Sequence, residues 1–210
     1  MAELEARQLN VTDILTDINF KLTSGQHWTL TGPSGGGKST FLKALASLQP
    51  NTSGQLLLDG KAVSDYPINE YREAVSYAVQ SALLFGKTVR DNLDLPFELR
   101  QQKADEQVQT EFLEKVNLPA DYLDRSIQDL SGGQRQRVAV LRNLIFPPEF
   151  LLLDEITTGL DEESKKTVWS CVLNEQKEHN FGIISITHDP DEIKGAKHVI
   201  EIQGGRLNVK

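Results

Sequence analysis

Cysteine is nearly absent: Cys171 is the one thiol among 210 residues. An intramolecular disulfide is excluded, a reducing compartment is the expected setting, and the residue itself reads as a small buried apolar group. Positive charge is also scarce, with 22 Lys and Arg against 30 Asp and Glu and a net charge of −8. The basic footprint of a nucleic-acid binder is missing, so no nucleic-acid partner is expected. No run approaches the roughly 18 apolar residues that a membrane-spanning helix needs. The acidic start Met1-Ala2-Glu3-Leu4-Glu5 lacks the apolar core of a secretory signal. A cytoplasmic protein is expected, held at a membrane, if at all, by another chain. Internal repeats and low-complexity segments are absent, and so are aromatic rings before Phe20. What remains, 39% hydrophobic and 25% charged, is ordinary for a globular domain. The length suits one domain with a good core or one with an inserted lobe.

The stretch around which the chain is organised is Gly32-Pro33-Ser34-Gly35-Gly36-Gly37-Lys38-Ser39-Thr40, which fits G-x-x-x-x-G-K-[ST] at every fixed position. His27–Thr31 before it reads as a strand, and Ser39–Leu48 after it as a helix. Glycines let the backbone curl so that successive N–H groups point at an anion. The helix N-terminus adds partial positive charge at the same place. Lys38 supplies a point charge for the outer phosphates, and the Ser39 hydroxyl can ligate magnesium. A glycine-rich turn that merely joins strand to helix would need neither the lysine nor the hydroxyl. The motif by itself indicates a nucleoside triphosphate without separating kinases, GTPases and ATPases.

Around this loop the pattern is mixed. Ile18, Phe20 and Leu22 alternate with polar residues, as in a half-buried strand. Gln55–Leu58 closed by Asp59-Gly60 signals a hairpin. Antiparallel strands are therefore expected beside the nucleotide loop, with Trp28 and Trp169 as packing residues. Val75–Val79 reads as a strand ending at Gln80, followed by the apolar loop 81–86. Thr88–Arg100 and Lys103–Asn117 read as helices, as do Ser131–Arg142, stopped by Pro147-Pro148, and Asp161–Glu178. Phe150–Leu153 and Gly182–Thr187 are apolar runs of the kind found in buried parallel strands. A hairpin, 198–203 and 206–209, closes the chain. The expected fold is α/β: residues 1–85 and 146–210 form a core with antiparallel strands, and 86–145 an inserted helical lobe.

Ligands of open α/β sheets bind outside the carboxyl ends of the strands. The phosphate loop, Gln80, Asp154-Glu155 and His188 all end strands or directly follow them. Asp154 is placed to hold magnesium, directly or through water, and Glu155 to take a proton from an attacking water. Two adjacent carboxylates after four apolar residues would otherwise repel each other. Gln80 and His188 are weak signals singly, because a strand-end glutamine is usually a solvated cap and a histidine usually satisfies a nearby backbone group. Position gives them weight: glutamine can orient water or touch magnesium, and histidine can bond a γ-phosphate. Leu130-Ser131-Gly132-Gly133-Gln134 is a second helix start with glycines and a hydroxyl, hence a second anion site. It would be redundant within one chain and is explained if it serves the nucleotide of a second subunit.

With these residues placed, the whole chain resembles the ATP-binding subunit of an ABC transporter, a P-loop NTPase with a RecA-like core. In that family's terms Gly32–Thr40 matches Walker A, Gln80 the Q-loop, Leu130–Gln134 the signature and Phe150–Asp154 Walker B. Glu155 matches the catalytic glutamate, Asp161 lies in the D-loop and His188 is the switch histidine. The resemblance implies ATP and Mg²⁺, with Ser39, Gln80 and Asp154 toward the metal. It implies a homodimer closed head to tail, each ATP lying between the Walker A loop of one chain and Ser131, Gly132, Gly133, Gln134 and Asp161 of the other. It further implies an integral-membrane permease as partner, docked near Leu83, Leu84 and Phe85, so that the subunit sits on the inner face of the membrane without touching the transported substrate. Three departures stand out: Ile156 where proline is usual, Thr158-Gly159 where Ser-Ala is usual, and no early aromatic to stack on adenine, so weak base discrimination is expected. Leu84–Leu93, Leu141–Leu144 and Leu153–Asp161 most resemble a bacterial iron-export ATP-binding subfamily. The rivals are an importer or lipid-handling system with the same cassette, a soluble ATP-driven switch, and a small-molecule kinase, which would have no use for Leu130–Gln134.

Overall fold

The computed structural model describes residues 1–209, which form two compact units. The first comprises Met1–Tyr77, Pro148–Glu155 and the chain from Asn180 onward. It contains two sheets. The smaller is antiparallel, built from β1 (Glu3–Val11), β2 (Leu15–Thr23), β4 (Ser53–Leu58) and β5 (Lys61–Ala62) in the order β2-β1-β4-β5. Along β1 the buried face changes parity, from Leu4 and Ala6 to Leu9 and Val11. A bulge explains the change: the pairing register shifts between Ala6 and Leu9, where Gln8 sits at φ +47. Without the extra residue, strict alternation would turn half of this strand's apolar set to solvent. The Asp59-Gly60 turn has φ +50 and +76, the two positive values that a tight hairpin turn requires.

The larger sheet contains β3 (His27–Thr31), β6 (Val75–Ala78), β7 (Phe150–Asp154), β8 (Gly182–Ile186), β9 (His198–Gln203) and β10 (Arg206–Val209). Its order is β10-β9-β3-β8-β7-β6. β3 runs parallel to β8 and β9, and β7 parallel to β8, while β10 returns antiparallel on β9. Every residue of β7 and β8 is buried, as their largely apolar sequences require. α1 (Lys38–Leu45) follows β3 and buries Phe41, Leu42 and Leu45. Both sheets and this helix contribute to one core, in which the Phe20 ring meets Trp28 edge-on at 5.6 Å and Phe41 at 5.8 Å. Two short helices complete the unit, α2 (Ile68–Ala74) and α7 (Pro190–Gly195). α1 is shorter than its sequence suggests, because Ser47 at φ +53 turns the chain away. α7 is too short for periodicity to show, although Asp189-Pro190 carries the cap and first-turn signals of a helix start.

The second unit comprises Ala78–Pro147 and Ile156–His179, with α3 (Val89–Leu99), α4 (Glu106–Lys115), α5 (Gly132–Leu141) and the long α6 (Glu162–His179). Its interior holds Val89, Leu93, Phe97, Leu113, Val116, Val138, Leu141 and Val168. Side chains close the helix starts: Thr88 and Asp91 form a capping box on α3, and Asp105 caps α4. Among the described residues no helix is long and apolar enough to cross a membrane.

Candidate active site

In the first unit the loop after β3 is built for an anion. Gly32 opens it at φ +134, and a Cβ there would fall 2.2 Å from the Ile202 carbonyl oxygen, so only glycine fits. Gly35 and Gly37 are also left-handed, at φ +72 and +98. Pro33, Ser34 and Gly35 are exposed at the loop tip, Gly36 donates its N–H to the Pro33 carbonyl at 3.1 Å, and Ser39 and Thr40 lie half-buried in the first turn of α1. Lys38 is buried, yet its ammonium has partners: Nζ donates to the carbonyls of Gly32 and Pro33, 3.0 Å each. An ammonium carries three donors, so the third N–H is available to a phosphate oxygen at the mouth of the loop.

Beside the loop lies Asp154, the last residue of β7, buried at 4% exposure. Both of its carboxylate oxygens accept hydrogen bonds. Ser39 Oγ donates to Oδ1 at 3.0 Å, and the Tyr77 hydroxyl donates to Oδ2 at 2.5 Å. Burial, and next the bond to Asp154, push the Tyr77 phenol well above its usual pKa, so it remains a donor. A hydroxyl and a carboxylate oxygen side by side, at the start of a phosphate-binding helix, form the donor set that magnesium takes. Nothing in the sequence singles out Tyr77 as a site residue. A tyrosine in a short strand reads as packing, and only the placement of β6 next to β7 brings its hydroxyl to the carboxylate.

Glu155 follows in the left-handed region, φ +50, while its N–H still bonds the Ile186 carbonyl at 3.2 Å. The rotation takes its side chain off the strand line, as expected of a residue that must point elsewhere than Asp154. Its Oε1 lies 3.3 Å from Nε2 of His188, which stands two residues beyond β8. The first unit thus gathers Gly32–Thr40, Asp154, Glu155 and His188 at the carboxyl ends of its parallel strands.

The second unit carries the other predicted residues. Gln80 is exposed, two residues past β6. Ser131 caps α5 reciprocally with Gln134: Ser131 Oγ accepts the Gln134 N–H at 3.2 Å, and Gln134 Oε1 accepts the Ser131 N–H at 2.8 Å. Gly132 faces open space, whereas a Cβ on Gly133 would stand 3.0 Å from Ser164 Oγ. Asp161 caps α6, accepting the Ser164 N–H at 2.9 Å and the Ser164 hydroxyl at 2.8 Å, and these bonds hold its carboxyl below the usual range. The apolar loop is tied down by a buried amide. Asn92 accepts the Phe85 N–H and donates to the carbonyls of Phe85 and Thr88, leaving Leu83 68% and Phe85 40% exposed.

A family model described as ABC transporter matches residues 15–158. The chain is 46% identical over 190 residues to the probable iron export ATP-binding protein FetA of Escherichia coli (strain K12), covering 90% of this chain and 84% of that one. It is 36% identical over 192 residues to the spermidine/putrescine import ATP-binding protein PotA of Chromobacterium violaceum, covering 90% of this chain and 52% of that one. Among solved structures, it resembles a bacterial Atm1-family ABC exporter with ATP bound, with a TM-score of 0.85 at 24% identity over 99% of this chain and 38% of the other. That likeness concerns the fold.

Proposed function

Because the chain belongs to the ABC transporter family and is an ATP-binding ATPase of that kind, we propose that it drives a separate membrane permease in metal export, with iron as cargo. Identity to the FetA protein over most of both chains supports the cargo. The PotA match supports a second reading, an importer with the same cassette. The observation that carries the ATPase chemistry is the Ser39–Asp154–Tyr77 chain of hydrogen bonds beside the Lys38 loop.

Lys38 and the loop N–H groups hold the outer phosphates of ATP. Ser39 and Asp154 would hold Mg²⁺, with Gln80 contributing from its loop as the family resemblance implies. When bound, the ion would supply charge neutralisation to the phosphates. Glu155 takes the proton of a water whose oxygen bonds to the γ-phosphorus as the bond to the ADP oxygen breaks. His188, beside Glu155, steadies the γ-phosphate. Ser131–Gln134 and Asp161 face the nucleotide of a second copy in a head-to-tail dimer, and hydrolysis reopens that dimer. Leu83, Leu84 and Phe85 receive the permease, which holds the subunit on the cytoplasmic face of the membrane.

The test is a pull-down with tagged Glu155→Gln protein from its native cell, with membranes solubilised gently in ATP. A multi-span protein should be recovered, and deleting its gene should raise cellular iron and iron sensitivity. Repeated recovery of soluble partners only would overturn the transport reading. A permease whose loss leaves iron handling unchanged but abolishes uptake of another solute would move the assignment to import.

A further inference from the structure

The last turns of α6 place three ligating side chains on one face. Glu175, Glu178 and His179 stand at i, i+3 and i+4, the spacing at which helical side chains stack. Each offers a ligand atom within 4.8 Å of the others. Glu175 is the informative member, because it is a carboxylate only 2% exposed. One of its oxygens accepts from Lys115 Nζ at 2.6 Å. The other, Oε2, is buried and has no hydrogen-bond partner among the described residues. This oxygen is aimed into the cluster: His179 Nε2 lies 3.6 Å away, too far for a good hydrogen bond.

A buried carboxylate oxygen without a donor is costly, and a cation at this point would satisfy it. A tetrahedral ion with ligand bonds of about 2.1 Å has edges between ligand atoms of about 3.4 Å, close to the Glu175–His179 separation. Glu178 and His179 are exposed, so a rotamer change brings the third ligand in without moving backbone. Lys115 offsets one of the two carboxylate charges, and the helix C-terminus adds its own negative end, so the site remains attractive to a dication.

We propose that Glu175 Oε2, the Glu178 carboxylate and His179 Nε2 bind one divalent transition ion of the zinc class, with water completing the coordination. One imidazole with two carboxylates favours Zn²⁺, Co²⁺ or Fe²⁺ over Mg²⁺ or Ca²⁺, which prefer oxygen alone. The ion would clip the last turn of α6, and none of its three ligands is among the residues assigned to ATP turnover.

The experiment is calorimetric titration of the nucleotide-free full chain with Zn²⁺, repeated with His179→Ala, Glu178→Gln and His188→Ala. His188 is included because, with Glu155, it forms another imidazole–carboxylate pair. One equivalent should bind the wild type and His188→Ala, with at least tenfold weaker binding in His179→Ala and Glu178→Gln. Zn²⁺ should also raise the thermal midpoint of the wild type but not of His179→Ala, and excess Mg²⁺ should not displace it. Absence of binding, undiminished binding in His179→Ala, loss in His188→Ala, or displacement by Mg²⁺ would each overturn the assignment.

Discussion

Tyr77 shows how much of the site depends on single atoms. Its hydroxyl is one of two donors that fix the Asp154 carboxylate, and a hydrogen bond to a charged group contributes roughly 1.5–3 kcal/mol. Tyr77→Phe keeps the ring and removes the donor. Turnover is expected to fall severalfold, and the Mg²⁺ concentration for half-maximal rate to rise, in steady-state assays at varied Mg²⁺; unchanged Mg²⁺ dependence would refute a positioning role. His27 gives a pH prediction. Burial pushes its imidazole down from 6.5 to about 4, with Nε2 beside Ser185 Oγ at 2.8 Å. The folded state therefore favours the neutral ring, while the unfolded chain takes up a proton below about pH 6.5. The contribution is fully present above that pH and is lost as pH falls toward 4, by up to about 3 kcal/mol, less where the half-buried ring meets water. Thermal midpoints measured from pH 7 to 4.5 should fall more steeply for the wild type than for His27→Gln.

At the scale of elements, the bulge in β1 decides which side chains reach the core. Gly54 at φ +86 makes room for it: a Cβ there would stand 2.2 Å from the Gln8 carbonyl oxygen. Gly54→Ala combines a left-handed backbone with a steric clash and should cost on the order of 2–4 kcal/mol, read as a lower urea midpoint. Equal midpoints would show that the bulge relaxes at little cost. The helices were more legible. Thr88 and Ser131 signal their starts chemically, and the structure uses each as a cap, whereas α4 starts behind Asp105, later than the Lys103 that its sequence suggests. The bulge left no such mark, because it arises from pairing between strands distant in the chain and only afterwards reverses parity along β1.

The whole molecule is expected to act as a pair, because the glycines and hydroxyl at the Ser131 helix start read in the sequence as a second anion site that one chain by itself would not need. Glu155→Gln should bind ATP, lose turnover by at least about a hundredfold, and sediment as a dimer with ATP but not with ADP; a monomer in both nucleotides would sink the head-to-tail reading. Base selectivity is a second property at this scale. The earliest aromatic, Phe20, is buried against Trp28 and Phe41 in the core, so it is not available to stack on adenine. GTP should therefore be hydrolysed within roughly tenfold of ATP, since a missing stacking ring removes about 0.5–1.5 kcal/mol. GTP turnover lower by orders of magnitude would overturn this.

The sequence by itself determined the parallel core strands, the phosphate loop, the starts of α3 and α5 and the kind of chemistry, because these depend on local spacing: glycines, a lysine and a hydroxyl within nine residues, and an apolar run ending in two acids. Tertiary structure alone decided that Tyr77 grips Asp154, that Glu155 meets His188 and that a buried carboxylate oxygen at Glu175 lacks a donor among the described residues. Each of these is a meeting of side chains from segments far apart in sequence or a consequence of burial, and both depend on how the strands and helices pack.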